Sequence, residues 1–78
     1  MRLRFIDGYE FNAETKTGAC EALWKSMKFR LHDSLDEWLK ANAHTMENFC
    51  GVKLRIDSAD NQFDDMVAAK ILTVISEN

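Results

Sequence analysis

Two cysteines and two histidines are the residues of this 78-residue chain that could ligate a transition metal. Cys20 and Cys50 stand thirty positions apart, with His32 and His44 between them. Structural zinc sites favour short C-x-x-C or H-x3-H spacings, and neither is present in the sequence. A disulfide is the minor alternative, because small secreted domains that depend on disulfides usually carry more cysteines. We interpret both thiols as reduced and apolar, and we expect no metal site and no cofactor.

Cys20 is also the residue with the best claim to nucleophilic chemistry. It falls in the first turn of a predicted helix, where the helix dipole can lower the pKa of a thiol. A nucleophilic thiol needs a base beside it, and both histidines are distant in sequence. The sequence also lacks the G-x-x-x-x-G-K-[ST], G-x-G-x-x-G, H-E-x-x-H and G-x-S-x-G motifs. We therefore expect a protein that is not an enzyme and has no catalytic residues.

Two acidic clusters, "DSLDE" and "DSADNQFDD", are the remaining candidates for ion binding. Neither follows the calcium-binding D-x-[DN]-x-[DN]-G loop with its closing glutamate. Each cluster lies where a predicted helix begins, so its carboxylates are expected to cap that helix and to complement the positive end of its dipole. The residues concerned are Asp33, Asp36, Glu37, Asp57 and Asp60.

Length and composition are those of one soluble globular domain spanning residues 1–78. The chain is 46% hydrophobic and 29% charged, with a formal net charge of −3. Its longest apolar runs are far shorter than the roughly 18 residues that a membrane span needs, and its N-terminus lacks the apolar region of a signal peptide. We expect a cytoplasmic protein that does not contact a membrane.

The segment "RFIDGYEF" predicts a β-hairpin, and two registers are open. A two-residue type I′ turn would mix apolar and charged residues on both faces. A three-residue loop that ends with Gly8 in the left-handed conformation of a G1 bulge instead separates them. The pairs predicted by this second register are Phe5 with Tyr9, Leu3 with Phe11, Met1 with Ala13, Arg4 with Glu10 and Arg2 with Asn12. We adopt it, and it gives one apolar face and one face with two arginines.

Three amphipathic stretches predict helices. The first, "TGACEALWKSMKF", is capped at Thr17; the second, "HDSLDEWLKANAHTMENFCG", begins with a Ser34–Glu37 capping box and ends at Gly51. The third begins at Asp57 or Ser58. The expected inward residues are Cys20, Leu23, Trp24 and Met27 in the first helix, Leu35, Trp38, Leu39, Met46, Phe49 and Cys50 in the second, and Phe63, Met66, Val67 and Lys70 or Ile71 in the third. Both tryptophans are interpreted as core residues or interface anchors.

Two further segments predict strands. "VKLRI" alternates strictly, with Val52, Leu54 and Ile56 on one face, and "ILTVIS" closes the chain. The predicted order is β-β-α-α-β-α-β. The fold class is therefore α+β, with an N-terminal hairpin and a small sheet that carries helices on one face.

Charge is unevenly distributed along the chain. Residues 1 to 30 carry six basic and four acidic side chains, whereas residues 31 to 78 carry four basic and nine acidic ones. If "VKLRI" joins the hairpin in one sheet, then Arg2, Arg4, Lys53 and Arg55 share its solvent face. Such a face could bind an acidic protein surface or a nucleic acid. The alternative is a solvated face whose charges only prevent strand-edge pairing.

The segments "RFIDGYEFNA", "SLDEWLKANAHTMENFCGVKLRI" and "FDDMVAAKILTVI" resemble, over most of the chain, small uncharacterised proteins encoded by phages and mobile elements. The chain departs from the closing pattern at Lys70, where a glycine is expected. This resemblance implies a protein that acts stoichiometrically by occupying a site on a host protein, as anti-CRISPR proteins do. It implies no catalytic or cofactor-binding residues.

Three functions follow as expectations. The first is a protein-binding module, a phage-type inhibitor of a host nucleic-acid-handling complex, whose partner is a host protein or protein complex. The second is a small regulator that binds nucleic acid through the basic sheet face. The third is a structural subunit of a larger assembly, such as a homodimer joined through an edge strand.

Overall fold

The computed structural model describes residues 1–26 and 33–77 of the chain. The elements in these ranges are β1 (Arg2–Phe5), β2 (Glu10–Asn12), α1 (Lys16–Ser26), α2 (Leu35–Cys50), α3 (Ala59–Ala68) and β3 (Leu72–Ser76). The predicted α+β class is confirmed. The predicted strand "VKLRI" is wrong, because no strand forms between α2 and α3.

The N-terminal hairpin has the bulged register that the sequence predicts. Leu3 pairs with Phe11 and Arg4 pairs with Glu10. At the turn, the backbone N–H of Gly8 donates to the Phe5 carbonyl at 2.9 Å, and Gly8 has a φ of 95°. Glycine adopts this left-handed backbone without the steric cost that a Cβ would add. The three-residue loop therefore places apolar and charged side chains on opposite faces.

We expect Gly8→Val to lower the free energy of unfolding by about 1–2 kcal/mol, because a β-branched residue is poorly tolerated at positive φ. A Cβ at Gly8 would have no heavy atom within 4 Å, so the cost comes from the backbone and not from a clash. Gly8→Asn is the matched control, since asparagine tolerates left-handed backbone far better. Thermal unfolding measures both, and equal melting temperatures for Val and wild type would contradict the assignment.

The sheet has strand order β2-β1-β3, and both neighbours of β1 run antiparallel to it. The closing strand predicted from "ILTVIS" is confirmed, with Leu72 opposite Phe5 and Val74 opposite Leu3. The register shifts beyond Val74, opposite the step between Arg2 and Leu3. A bulge of this kind bends an edge strand and disfavours pairing with a further strand. A homodimer joined through an edge strand remains a prediction, and the bulge in β3 does not favour it at that edge.

Helix α1 begins two residues earlier than the sequence analysis places it. The hydroxyl of Thr15 accepts the N–H of Gly18 at 2.9 Å, which makes Thr15 the capping residue. The predicted cap at Thr17 is wrong, because its hydroxyl instead donates to Asp60 of α3 at 2.9 Å. Of the predicted inward residues, Cys20 and Leu23 are buried and Trp24 is half-buried, while Met27 lies outside the described residues.

Helix α2 has the predicted termini but a shorter buried stripe. Ser34 accepts the N–H of Glu37 at 3.2 Å, and Gly51 ends the helix at a φ of 67°. Met46 is the last buried residue of the helix. The prediction that Phe49 and Cys50 face the core is wrong: Phe49 is 84% exposed and Cys50 is also exposed, because the final turn continues past the core.

The segment between α2 and α3 bonds to helix side chains and not to a strand. The backbone N–H of Arg55 donates to the carboxylate of Asp65 at 2.8 Å, and its carbonyl accepts the side-chain amide of Gln62 at 3.0 Å. These bonds occupy the two backbone groups of Arg55 that a neighbouring strand would otherwise bond. Leu54 is buried, whereas Ile56 is 50% exposed.

Helix α3 starts at the predicted Ser58 cap and ends in a Schellman motif. Ser58 accepts the N–H of Asn61 at 3.1 Å. At the other end, the N–H of Lys70 donates to Val67 and that of Ile71 to Met66. Lys70 has a φ of 63°, in the left-handed region that favours glycine.

We expect Lys70→Gly to raise the free energy of unfolding by roughly 0.5–1 kcal/mol, because glycine relieves the left-handed strain at this exposed position. For a domain of this size, that is a rise in melting temperature of several degrees. Lys70→Ala is the control, since it removes the same charge but keeps a Cβ. Equal melting temperatures for Gly and Ala would contradict the strain argument.

Candidate functional site

The four basic residues Arg2, Arg4, Lys53 and Arg55 do not lie on the single sheet face that the sequence predicts for them. Arg2 and Arg4 lie on the sheet and donate hydrogen bonds to the Glu10 carboxylate at 3.3 and 3.1 Å. The bonds from Arg4, and then from Arg2, hold the pKa of Glu10 below its usual value. Lys53 and Arg55 lie in the segment that forms no strand. The predicted basic sheet face is therefore wrong as a cluster, although a partner-binding role for each residue stays a prediction.

The side chain of Arg55 bonds to a side chain of helix α3. Its guanidinium donates to both carboxylate oxygens of Asp65 at distances of 3.0 to 3.2 Å. These bonds, together with the backbone N–H of Arg55, hold the pKa of Asp65 below its usual value. The pair ties the α2–α3 connection to the surface of α3, so Arg55 is a structural residue as well as a charged one.

The Asp65 pair predicts a pH dependence of stability. Because its folded pKa is lowered, its contribution is complete above the ordinary aspartate pKa of about 3.9 and is lost as the pH falls below it. We expect Asp65→Asn to melt below wild type at pH 7 and to approach it near pH 2. Melting temperatures of both proteins across this range measure the difference. A difference that stays constant into acid would contradict the assignment.

The two thiols lie in different environments. Cys20 is buried, and its Sγ lies 3.5 Å from the Ala59 carbonyl oxygen. Burial, followed by the nearby charges of Asp60 and Glu21, raises the pKa of Cys20 to about 12. The helix dipole therefore does not lower the pKa of this thiol, and the interpretation of Cys20 as an apolar core residue is confirmed. Cys50 is a free, exposed thiol, so its interpretation as apolar core is corrected.

The acidic clusters bond to helix starts and neighbouring side chains. Glu37 accepts the backbone N–H of Asp33 at 3.0 Å, and Asp57 accepts the side-chain amide of Asn61 at 3.0 Å. Across residues 1–26 and 33–77, no three histidine, cysteine, aspartate or glutamate side chains converge as metal ligands. The bond at Glu37 agrees with the predicted capping role, because it satisfies a backbone N–H at the start of α2. Asp57 bonds a side chain instead, and Ser58 caps α3.

A groove lies where the hairpin turn meets the end of α1 and the beginning of α2. It has a volume of about 140 Å³. The described residues that line it are Phe5, Asp7, Tyr9, Leu23, Ser26 and Trp38. Ligand and cofactor pockets usually measure about 300–1,000 Å³, so this groove has room for one side chain and not for a cofactor.

The groove combines a buried floor with an exposed rim. Trp38 is 1% exposed, and its indole N–H finds no acceptor within the part of the chain that the structure describes. An unpaired buried donor costs about 1–3 kcal/mol, and such groups are rare in folded proteins. Tyr9, which lines the groove, is 43% exposed, and Ile6, which stands between Phe5 and Asp7 in the sequence, is 53% exposed. We call these two residues the rim.

The turn geometry fixes how the hairpin contributes to the groove. The carboxylate of Asp7 accepts the backbone N–H of Tyr9 at 2.9 Å, which holds the turn closed. The Phe5 N–H donates to the Tyr9 carbonyl at 2.8 Å, so the Phe5 and Tyr9 side chains leave the same face. The Tyr9 ring also stacks on Phe11, with centroids 5.4 Å apart. The rim is therefore held by a rigid hairpin.

Sequence reasoning predicts most of these residues as core and misses the groove. The pairing of Phe5 with Tyr9 is the signal available in the sequence, since it predicts two aromatics side by side at a turn.

In residues 1–26 and 33–77, no helix has the length and apolar character to cross a bilayer. No protein-family model, curated protein or solved structure matches the chain.

Proposed function

We propose that this chain is a non-enzymatic protein-binding module that docks on its partner through the groove and its rim. The observation that carries the proposal is the exposure of Tyr9, which lines the groove with Phe5 and Trp38, and of Ile6 in the same hairpin turn. Loops held by a rigid scaffold commonly carry binding residues. Tyrosine and tryptophan are enriched among the residues that supply most of the binding energy at protein interfaces.

The energetics favour burial of this rim against a partner. Apolar surface removed from water contributes roughly 25 cal/mol per Å², and Ile6 and Tyr9 each still expose about half of their surface. Both residues project from a turn that is closed by backbone and Asx hydrogen bonds, so little order must be imposed on binding. The hairpin tip is thus a preorganised contact.

The partner that we propose is a host protein of a nucleic-acid-handling complex in the cytoplasm, with this chain acting as a phage-type stoichiometric inhibitor. The proposal draws on the resemblance to phage proteins and on the net charge of −3. Surfaces that bind nucleic acid carry an excess of arginine and lysine, and an acidic protein is attracted to them. Occupying such a surface would block it without any catalytic step.

The rival function, direct binding of nucleic acid, has less support. It relies on four basic side chains gathered on one sheet face, and that cluster does not form. Arg2 and Arg4 share one carboxylate, and Arg55 bonds Asp65. A salt titration of binding to random duplex DNA distinguishes the two functions, because a DNA-binding protein loses affinity steeply as salt rises.

Photo-crosslinking tests the proposal with two matched positions. A benzophenone side chain placed at Ile6 probes the rim, and one placed at Ile56 probes a residue of nearly equal exposure outside the groove. In a host lysate, we expect a saturable crosslink to a defined protein from position 6 and none to that protein from position 56. The same crosslink from both positions, or steeply salt-dependent capture of DNA, would contradict the proposal.

A further inference from the structure

The lining of the groove points to the chemistry of the partner group. We propose that the groove binds an arginine side chain of the partner, an inference that rests on the protein-binding function above. The lining contains three aromatic residues, Phe5, Tyr9 and Trp38, and one carboxylate, Asp7. Aromatic residues and a carboxylate around a small space are the combination that binds an organic cation.

The aromatic part of the groove suits a guanidinium in particular. A guanidinium is planar, stacks on aromatic rings and is less strongly hydrated than an ammonium, so entering an apolar groove costs it less. The volume of about 140 Å³ accommodates one such end group with part of its aliphatic stem. Phe5 and Leu23 offer the apolar surface against which that stem can pack.

The carboxylate of Asp7 is placed to pair with the cation. One of its oxygens, Oδ1, accepts the Tyr9 N–H, and Oδ2 accepts no hydrogen bond from residues 1–26 or 33–77. Among residues 1–26 and 33–77, no basic side chain forms an ion pair with Asp7, in contrast to Glu10 and Asp65. The carboxylate is therefore both held by the turn and unneutralised within these residues, as a receptor for an incoming positive charge requires.

This chemistry agrees with the partner class. A protein that handles nucleic acid exposes arginines that contact phosphates, and such arginines are fully charged at neutral pH. A groove that captures one of them would compete directly with a phosphate oxygen for the same guanidinium. The net charge of −3 on this chain adds long-range attraction to the same surface.

Two model compounds test the inference on the intact chain. N-acetyl-arginine amide carries the cation, and N-acetyl-citrulline amide is its neutral isostere. We expect the arginine compound, with a Kd of millimolar order, to shift the NMR signals of the Trp38 indole N–H and the Tyr9 amide. The citrulline compound should leave these signals in place.

Asp7→Asn is the matched variant, because the asparagine oxygen can still accept the Tyr9 N–H and keep the turn closed. We expect it to weaken arginine binding at least about threefold while leaving the melting temperature close to that of wild type. Asp36→Asn, at an exposed site outside the groove, removes the same charge and should leave the Kd unchanged.

Three outcomes would overturn the inference. Equal NMR shifts with the arginine and citrulline compounds would assign the groove to an apolar side chain. Shifts confined to the signals of other acidic residues would place the cation elsewhere on the surface. No shift with either compound would show that the groove binds neither. The proposed function fails separately, if crosslinking from position 6 captures no protein that position 56 misses. If the groove binds the arginine compound but position 6 gives no such crosslink, the arginine site is supported and the proposed protein-binding function is not.

Discussion

Replacing Gln62 with methionine should lower the free energy of unfolding by about 2–4 kcal/mol. The Gln62 side chain is fully buried, accepts a hydrogen bond from Asn42 at 2.8 Å and donates to the carbonyls of Leu39 and Arg55 at 3.0 Å. It thereby joins α2, α3 and the segment between them. Methionine has a similar length but fills the space without these bonds, so buried polar groups lose their partner. Chemical denaturation measures the change.

The matched control is the double variant Asn42→Leu with Gln62→Met. The Asn42 amide also lies 3.4 Å from the Met66 sulfur, a weaker acceptor, so it depends mainly on Gln62. Removing both partners of a buried hydrogen bond costs less than stranding one of them. We expect the double variant to lose less stability than the sum of the two single changes. Additive losses would show that the amides stabilise the core independently.

Leu3→Ala should lower the free energy of unfolding by about 3–5 kcal/mol. Leu3 is fully buried in β1, the central strand, where it faces Phe11 on one side and Val74 on the other. A domain of this size has a total stability of about 4–12 kcal/mol, so the variant will be close to unfolding. Ile6→Ala is the control, since Ile6 is 53% exposed and should change stability by less than about 0.5 kcal/mol. Similar losses for both would contradict the placement of the core.

The elements that the sequence predicts correctly are those whose determinants are local. The hairpin register follows from the alternation around Gly8, and the α2 termini follow from Ser34 and Gly51. In each case a side chain or a glycine satisfies a requirement of its own neighbours in the chain. Lys70 shows the same logic, because the pattern asks for glycine at the position where the structure has left-handed backbone.

The elements that the sequence does not predict depend on distant partners. "VKLRI" has the alternation of a strand, but the backbone N–H and carbonyl of its Arg55 bond to Asp65 and Gln62, ten and seven residues away. Asn42 occupies the inner stripe of α2 as a buried polar residue, because Gln62 supplies its acceptor. Alternation of apolar and polar residues indicates which side chains face the core, but it does not indicate which groups bond to the backbone.

The groove escapes sequence analysis for a related reason. It is assembled from the hairpin turn, the end of α1 and the beginning of α2, and the distances between them are set by packing. Sequence patterns identify Trp38 and Leu23 as inward residues, which they are. They do not show that the surrounding side chains leave space above the indole. The prediction of a basic sheet face was wrong for a different reason, because it required a strand between α2 and α3 that does not form.

The proposed function makes the groove, and not the basic residues, the surface that binds the partner. Two folded double variants separate these surfaces: Ile6→Ser with Tyr9→Ser removes the apolar rim, and Arg4→Glu with Lys53→Glu reverses two exposed charges. Arg55 is left intact in this comparison because its bond to Asp65 supports the fold.

The most direct test is capture from one host lysate by wild type and both variants, with the bound proteins quantified by mass spectrometry. We predict that the protein crosslinked from position 6 is reduced at least about tenfold on the rim variant and kept by the charge-reversal variant. Loss of that protein on the charge-reversal variant, with full retention on the rim variant, would contradict the account.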